Sequence, residues 1–381
     1  MKNYCRLLFQ NLYVEKVNKT QSKLGFCCIS ETTQPTDTVT FTHPTLESGR
    51  KHLLDTGELP IACAMCSSNE RNGAVSLRLR GDNSNYIKHT TETKLINIQY
   101  NCDTVCNLKC ITCNGQYSSA WIEDEIKLGQ PTRSQFIPTK NNILVYSLDL
   151  SDVRFVYFNG GEPFMSLDHI KFLTYLNEFG NSSEIVVYYN TNATWPITQT
   201  MLDIWNKFRK IHIFCSIDGI GEVFEYVRFP GNWKAVEKNL LEFNQINQSN
   251  IEVRITPTVG IHNILYIDQL LLWCKENNFL TSLDEEFDAV NTVNGVFTLH
   301  DFPKEHHNYL LEYLSSISLN AKAHQQLINS ITPLAEQTNN WLDQLIRLDK
   351  IRGNNWRKSL SKLYKLNSKY FDKIMVDNGI N

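Results

Sequence analysis

The chain has 381 residues, a formal net charge of −3 and eleven cysteines, and 42% of its residues are hydrophobic. The length predicts more than one folding unit, and the near balance of charges argues against a broad nucleic-acid-binding face. Cysteine makes up about 3% of the chain, below the roughly 8–10% typical of small disulfide scaffolds. Residues 1–17 contain no continuous apolar segment, and the longest apolar runs, such as 270–273, are too short to span a bilayer. We therefore expect a cytoplasmic protein that associates with neither membranes nor nucleic acids, whose cysteines are metal ligands or buried thiols.

Polar linkers and weak periodicity characterise residues 1–93, which are predicted to form a small, loop-rich module that contains five cysteines. From Lys94 onwards, short β-rich runs alternate with amphipathic helical patterns, and beyond residue 300 the sequence becomes helical and polar. The predicted strands are 95–100, 153–159, 184–190, 210–217 and 251–259, and a last one is expected near 287–296. The predicted helices are 167–179, 197–208, 233–247 and 264–277.

Strands that alternate regularly with helices favour βαβ units and a parallel sheet. Right-handed crossovers curl such a series into a barrel or part of one. The predicted fold class is α/β, with a partial (β/α)6 TIM-like barrel over residues 94–300. The cysteine-rich module, 1–93, precedes this barrel and a helical extension, 301–381, follows it. Ligand sites are then expected at the carboxyl ends of the parallel strands.

Three cysteines directly follow the first predicted barrel strand with the spacing C-x3-C-x2-C, namely Cys106, Cys110 and Cys113. Three thiolates on one tight loop can hold three irons of a [4Fe–4S] cube and leave the fourth iron open to a small-molecule ligand. The same spacing counted from Cys102 would need cysteines at 106 and 109. Residue 109 is a lysine, so Cys102 lies outside the motif. A zinc site is the alternative, although zinc would want four ligands, commonly in C-x2-C pairs.

This spacing is the signature of the radical S-adenosylmethionine (SAM) enzymes, and the chain resembles that family. At the end of the second strand, Gly160-Gly161-Glu162-Pro163 resembles the family's GGEP motif, which binds the amino group of the methionine part of SAM. Glycines allow the backbone to approach a ligand closely, and a carboxylate at a strand end suits an ammonium. Taken alone, the same four residues could equally form an ordinary turn.

Later strand ends resemble further segments of the family. Asn190-Thr191-Asn192 closes the third strand, and Ser216-Ile217-Asp218-Gly219 closes the fourth like the S-x-D-G segment near the ribose and carboxylate of SAM. Because side chains alternate along a strand, Ser216 and Asp218 are expected to point to the inside of the barrel and Cys215 to its outside. Residues 226–233 resemble a Y-x-R-x-P-G-x-W stretch. The resemblance implies SAM contacts by Thr112, Gly160, Gly161, Glu162, Pro163, Asn190, Asn192, Ser216, Asp218 and Arg228. Arg254 and Thr258, at alternate positions of the fifth strand, are further candidates for contacts to the adenine or the carboxylate.

Two features qualify this resemblance. The residue before the third cysteine, often aromatic in the family, is Thr112 here, which weakens packing against the adenine but leaves a backbone contact possible. Residues 348–353 resemble the subfamily's C-terminal helix segment, although a solvated helix face is the favoured interpretation of their lysines and arginines.

The N-terminal cysteines resemble a twitch module, a shortened relative of the SPASM domain that carries an auxiliary [4Fe–4S] cluster. Cys63 and Cys66 form a C-x2-C pair, and Cys5 and the doublet Cys27-Cys28 precede it. Such modules usually follow the barrel, whereas this one would precede it. The implied ligands are Cys5, one of the doublet, Cys63 and Cys66. A structural zinc ribbon with the same thiolates is the alternative, since both metals suit tetrahedral sulfur.

The resemblance implies an enzyme that reductively cleaves SAM to a 5′-deoxyadenosyl radical, which then abstracts hydrogen from a substrate. A flavodoxin or ferredoxin would supply the electron. Relatives with twitch or SPASM modules often modify peptides or proteins, so a peptide or protein residue is the leading substrate hypothesis, with epimerisation, cross-linking or oxidation as the outcome. The alternatives are a radical enzyme acting on a carbohydrate or nucleoside, and a non-catalytic iron–sulfur protein. Cys102 is a speculative hydrogen donor, although a buried spectator is favoured.

Overall fold

The computed structural model of the protein describes residues 4–18, 20–71, 76–80, 91–131, 144–246, 248–283, 290–293, 295–331, 340–366 and 368. The strands are β1 (Asn11–Lys16), β2 (Ser22–Gly25), β3 (Asn97–Asn101), β4 (Phe155–Asn159), β5 (Val186–Thr191), β6 (Lys210–Cys215), β7 (Ile251–Ile255), β8 (Thr258–Val259), β9 (Leu280–Thr281) and β10 (Asn291–Thr292). The helices are α1 (Arg6–Gln10), α2 (Pro44–Thr56), α3 (Ala64–Arg71), α4 (Leu77–Arg80), α5 (Trp121–Lys127), α6 (Leu167–Phe179), α7 (Gln199–Trp205), α8 (Gly221–Val227), α9 (Trp233–Asn244), α10 (Ile267–Glu276), α11 (His307–Ser316), α12 (Ala321–Ile331), α13 (Asn340–Arg352) and α14 (Trp356–Ser359).

Eight strands form one sheet in the order β2-β1-β3-β4-β5-β6-β7-β9. All neighbouring pairs in it are parallel except β1 and β2, which pair antiparallel. A separate parallel pair joins β8 to β10. The expected α/β class with a largely parallel sheet is therefore confirmed, and the carboxyl ends of β3 to β7 meet at one edge.

One face of the sheet packs against the helices and forms the main core. Residues at alternate positions of neighbouring strands point into it and are at most 1% exposed, namely Tyr100, Phe158, Tyr189, Ile213 and Ile255. Burying a large apolar side chain stabilises a fold by about 1.5–3 kcal/mol. The intervening residues point to the opposite side, which we call the polar face: Gln99, Tyr157, Tyr188, Asn190, His212, Phe214 and Arg254.

The C-terminal helices pack on the rest of the chain through a second hydrophobic cluster, which includes Trp341, Leu345 and Trp356. Arg352 of α13 extends the contact to α5, where its Nε donates to Asp124 Oδ2 at 2.7 Å. The side chain of Arg352 is only 2% exposed. The interpretation of 348–353 as a solvated face is thus wrong for this arginine, because Asp124 compensates its charge inside the protein.

Several elements differ from the sequence-based expectation. Strands β1 and β2 lie in a region expected to be loop-rich, and β1 pairs with β3 in the same sheet. The domain boundary at residue 93 stays a prediction. The last strand of the main sheet is β9, whereas β10, inside the predicted 287–296 strand, pairs with β8 instead. A two-residue strand carries too few positions to show a period of two. Part of the predicted strand, 287–289 and residue 294, lies outside the described residues.

Among the residues that the structure describes, no helix combines the length and the apolar character needed to cross a bilayer.

The ion pair between Lys16 of β1 and Asp168 of α6 provides a test of how the N-terminal strand joins the sheet. Their side chains are 2% and 7% exposed. Asp168→Asn would leave the buried ammonium without its ion-pair partner, which costs about 3–5 kcal/mol, whereas replacing both partners by Met and Leu should cost little or nothing. The free energy of unfolding from urea titration measures both.

The matched control is Asp55→Asn, which removes an exposed i,i+4 pair with Lys51 and should cost less than about 1 kcal/mol. If Asp168→Asn costs no more than this control, β1 does not pack against α6 as described.

Candidate functional site

The three cysteines of the C-x3-C-x2-C sequence lie on the loop that follows β3. We call residues 102–113 the cysteine loop. All three thiols are partly buried, and each interacts electrostatically with at least one of the other two. Burial raises the pKa of Cys106 above its ordinary range, that of Cys110 to about 12 and that of Cys113 to about 11. Without a metal these thiols hold their protons, which a bound metal would displace.

Hydrogen bonds from the following turn and helix hold the cysteine loop. Ser118 Oγ donates to Leu108 O at 2.6 Å, and the indole of Trp121 donates to Cys110 O at 2.8 Å. Lys109 Nζ lies 2.9 Å from Asp124 Oδ1, the same carboxylate that binds Arg352 of α13. The C-terminal helices therefore help to fix the conformation of this loop.

The Gly160–Pro163 segment lies directly against the cysteine loop. Gly161 N donates to Asp103 O at 3.0 Å, and Glu162 N donates to Val105 O at 2.7 Å. A Cβ on Gly161 would lie 2.1 Å from Val105 O, and Gly160, at φ +118°, would place one 2.5 Å from Asp103 O. The glycines were expected to admit a ligand. In this structure they admit the neighbouring loop, because only a residue without a Cβ fits so close to its backbone.

The Glu162 carboxyl group is buried and accepts three hydrogen bonds. Thr191 Oγ1 donates to it at 2.7 Å, Asn192 N at 2.6 Å and Phe164 N at 3.1 Å. Burial raises the pKa of Glu162 to about 7, although these donors oppose the shift. Pro163 begins the short turn that this carboxyl caps. A carboxylate held in this way would be stabilised by a cation, since burial disfavours its charged form.

The two asparagines at the end of β5 have different neighbours. Asn192 Nδ2 lies 3.7 Å from Cys106 Sγ and donates to Asn107 Oδ1 at 3.1 Å. Asn190 lies on the polar face and donates to the hydroxyl of Tyr157. Thr191 between them, which the motif analysis did not single out, orients Glu162. Its only signal in the sequence is its place at the same strand end.

A buried ion pair borders the cysteine loop on the other side. Arg228 Nη2 lies 2.8 Å from Asp218 Oδ2, and Arg228 Nη1 lies 3.8 Å from Cys110 Sγ. Although burial lowers it, the pKa of Arg228 is raised above its ordinary value by Asp218 and Cys110. The backbone N–H of Thr258 donates to Asp218 Oδ1 at 2.8 Å, so Thr258 meets this group through its main chain.

The remaining nominated residues are more dispersed. Thr112 and Ser216 are partly buried, and Ser216 N donates to Thr191 O at 2.8 Å. Arg254 lies on the polar face and pairs with Glu252. Cys215 lies in the core between the sheet and its helices, which is the outward side of a barrel, as expected. Cys102 lies in the same core and is 1% exposed, which favours a buried spectator over a hydrogen donor.

Four of the five N-terminal cysteines line one small pocket, together with Arg78: Cys5, Cys27, Cys63 and Cys66. Cys5 and Cys63 each interact electrostatically with Cys27 and Cys66. Burial, reinforced by the neighbouring thiols, raises the pKa of Cys63. The structure thus distinguishes the two members of the doublet, which the sequence could not do.

Cys28 is not among the residues that line this pocket. Its backbone N–H donates to Gln99 Oε1 of the polar face at 2.8 Å. Burial raises the pKa of Tyr13 and of Tyr157, and the Cys28 thiol adds to both shifts. Cys28 therefore borders the polar face, and its thiol also interacts electrostatically with two thiols of the pocket.

No three His, Cys, Asp or Glu side chains in the described ranges are close enough together to hold a single metal ion. A [4Fe–4S] cluster binds each thiolate to a different iron, so its ligands need not converge on one point. The chemistry of both cysteine groups, thiols only, fits such a cluster.

Solved structures similar to this chain include anSMEcpe with bound AdoMet, at 18% identity and a TM-score of 0.41, covering 58% of this chain and 60% of that one. Streptococcus suis SuiB bound to S-adenosylmethionine has 17% identity and a TM-score of 0.35, covering 80% and 67%. The chain spans about three fifths of the length of anSMEcpe. No protein-family model and no curated protein matches the chain. Likeness at these levels decides neither the fold nor the activity.

The contact between Gly161 and the cysteine loop leads to a stability prediction. Gly161→Ala should destabilise the protein by at least about 1–3 kcal/mol, because the new methyl group would overlap the backbone of Thr104 and Val105. Urea unfolding of the metal-free protein measures this.

Gly57→Ala is the control. Gly57 ends α2 at φ +71° with open space around it, so only backbone strain of about 1–2 kcal/mol is expected. Iron uptake should fall in Gly161→Ala and not in Gly57→Ala. A fully stable Gly161→Ala protein that takes up normal iron would contradict the close packing of the two loops.

Proposed function

We propose that this chain is a radical SAM enzyme that holds a [4Fe–4S] cluster through Cys106, Cys110 and Cys113 and binds SAM beside it. The observation that carries the proposal is the packing of the Gly161–Glu162 backbone on the cysteine loop. This packing brings a buried carboxyl group, suited to an ammonium, next to three thiols suited to irons. A non-catalytic iron–sulfur protein would need the thiols but would have no use for the carboxyl group.

In this proposal the chain's own residues share the binding of SAM. Glu162 binds the ammonium of the methionine part, which offsets the cost of burying a carboxylate. Arg228 pairs with the ligand's carboxylate and partly offsets the charge of the thiolates, since it lies between Asp218 and Cys110. Asn192 positions the ligand beside Cys106. The cluster and SAM together supply the radical chemistry that removes hydrogen from the substrate.

The other nominated residues stay predictions with more specific assignments. Thr112, Ser216 and Thr258 are candidates for the nucleoside part of SAM. Asn190 and Arg254, on the polar face, are candidates for contacts to SAM or to the substrate next to it. Gly160 and Pro163 act through the conformation of the loop that carries Glu162.

We assign the auxiliary [4Fe–4S] cluster to Cys5, Cys27, Cys63 and Cys66, because these four thiols line one pocket. Structural zinc in the same pocket is the competing assignment. The electron that starts the reaction would come from a small reducing protein such as a flavodoxin or ferredoxin.

A peptide or protein residue is the proposed substrate. The polar face supports this choice, since it presents stacked aromatic rings beside hydrogen-bonding groups. The rings of Tyr188 and His212 lie 4.9 Å apart at 9°, and Asn190 and Arg254 lie on the same face. Mixed aromatic and polar surfaces suit peptide side chains and backbone amides. A carbohydrate or nucleoside substrate is the alternative.

The test of the proposed activity is SAM cleavage by anaerobically reconstituted protein reduced with dithionite. We expect 5′-deoxyadenosine from the unaltered protein and none from Cys110→Ala. Cys274→Ala, which alters a core thiol on α10, is the matched control and should retain cleavage. If the unaltered protein forms no more 5′-deoxyadenosine than Cys110→Ala does, the proposed enzyme activity is refuted. A rise in product on adding peptide, rather than sugar or nucleoside, would support the proposed substrate class.

The auxiliary site makes the two members of the cysteine doublet behave differently. Cys27→Ala should lower the iron content of reconstituted protein by roughly four irons per chain, because it removes a thiol from the pocket. Cys28→Ala should leave the iron content unchanged. Iron and sulfide analysis measures both, and retained 5′-deoxyadenosine formation shows that the first cluster is intact.

Zinc loss in Cys27→Ala, at constant iron, would favour the zinc assignment. Equal iron loss in the two variants would contradict the separate roles of the doublet.

A further inference from the structure

His262 is buried, and its ring has no hydrogen-bonding partner in the part of the chain that the structure describes. Its exposure is 0%, and neither Nδ1 nor Nε2 makes a hydrogen bond there. Burial lowers the pKa of His262 to about 4, so at neutral pH one ring nitrogen is a donor and the other an acceptor. Folded proteins rarely leave buried polar atoms without partners, so this ring requires an explanation.

The turn that carries His262 is firmly held at the carboxyl edge of the sheet. Asn263 Nδ2 donates to Asp218 O at 2.9 Å and to Thr258 O at 3.0 Å, and Asn263 Oδ1 accepts from Gly260 N at 2.9 Å. The His262 ring meets the ring of Phe297 edge-on at 5.7 Å. Its position is therefore set by the fold.

Two neighbouring side chains also have unused polar atoms. His262 interacts electrostatically with both Asp218 and Arg228. Arg228 Nε has no hydrogen-bond partner among the described residues, and Asp218 Oδ2 has only the ion pair with Arg228. Three buried side chains with unsatisfied atoms therefore gather at the Asp218–Arg228 pair, which borders Cys110. A polar ligand bound there would supply the missing partners.

The position of His262 relative to Glu162 indicates which part of SAM it would meet. Glu162 follows β4 of the main sheet, whereas His262 follows β8 of the separate two-stranded sheet. Arg228 interacts electrostatically with both residues, so a ligand with its ammonium at Glu162 and its carboxylate at Arg228 would meet His262 through its nucleoside part. A neutral imidazole matches the uncharged hydroxyl and ring-nitrogen groups of a nucleoside better than a charged group.

We propose that His262 positions SAM by hydrogen bonding to its nucleoside part. This role rests on the proposed function, and it adds to the site a residue that the sequence motifs did not nominate. His262 would bind the nucleoside part from beside Arg228, which holds the ligand's carboxylate next to the ammonium that Glu162 binds.

The test compares ligand binding and stability in His262→Phe and His262→Gln. Isothermal titration of the reconstituted proteins uses SAM, S-adenosylhomocysteine and methionine as probes. His262→Phe should weaken binding of the two nucleoside-containing probes about tenfold and leave methionine unchanged. His262→Gln, which keeps a donor and an acceptor, should recover part of the loss.

Thermal unfolding without ligand separates positioning from a structural role. The midpoint of His262→Phe should stay the same or rise, because an unsatisfied polar ring is replaced by an apolar one. A lowered midpoint with equal loss of all three probes would overturn the positioning role, as would unchanged SAM binding in both variants. Unaltered protein that binds neither SAM nor S-adenosylhomocysteine would instead overturn the proposed function itself.

Discussion

Two backbone hydrogen bonds join the end of β4 to the loop after β3, and the rest of the site is built around that contact. Gly161 and Glu162 donate to Asp103 and Val105, and the missing side chains at 160 and 161 leave room for this approach. With these loops held together, the Glu162 carboxyl is enclosed by donors from the end of β5. The same contact constrains the chain that leads into Cys106. Chemical groups from three neighbouring strands thus share one edge of the sheet.

The surroundings of this edge combine rigid support with unsatisfied polar atoms. Asp124 connects Lys109 of the cysteine loop with Arg352 of α13, so the C-terminal helices support the loop from outside. On the inner side, Arg228 and His262 keep nitrogen atoms without hydrogen-bond partners in the described chain. A preorganised binding site requires fixed side chains whose hydrogen-bonding atoms have no partner yet. Such side chains lose little conformational entropy when a ligand binds.

The N-terminal region is connected to the same structure through the sheet. β1 extends the parallel array beside β3, and the buried Lys16–Asp168 pair attaches it to α6. Beyond β2, the chain places Cys27 in the four-thiol pocket and Cys28 beside the polar face. Because Cys27 and Cys28 are adjacent in the chain, the proposed auxiliary site lies close to the proposed substrate surface.

Local patterns in the sequence were sufficient for the regular, strongly periodic elements and for the loops with unusual composition. The predicted helix 167–179 has the bounds of α6, which begins after the Ser166 cap. The predicted strands 95–100, 153–159, 184–190 and 210–217 have bounds within one or two residues of those of β3, β4, β5 and β6, because alternation is visible in strands of five or six residues. The cysteine spacing and Gly160–Pro163 are also local, since each lies within one loop.

Only the tertiary structure decided which distant residues meet. Thr191 and Arg352 lie in segments that resemble motifs but receive no role from them, and His262 lies in none. Their hydrogen bonds or charge interactions are with residues far away in the chain. The short strand β9 and the pairing of β1 with β3 depend on neighbouring strands rather than on their own sequences. Packing also decided that Cys27 lines the four-thiol pocket and Cys28 does not, which two identical adjacent residues cannot reveal in a sequence. Spacing along the chain determined which chemical groups each loop offers, whereas packing determined which of these groups meet.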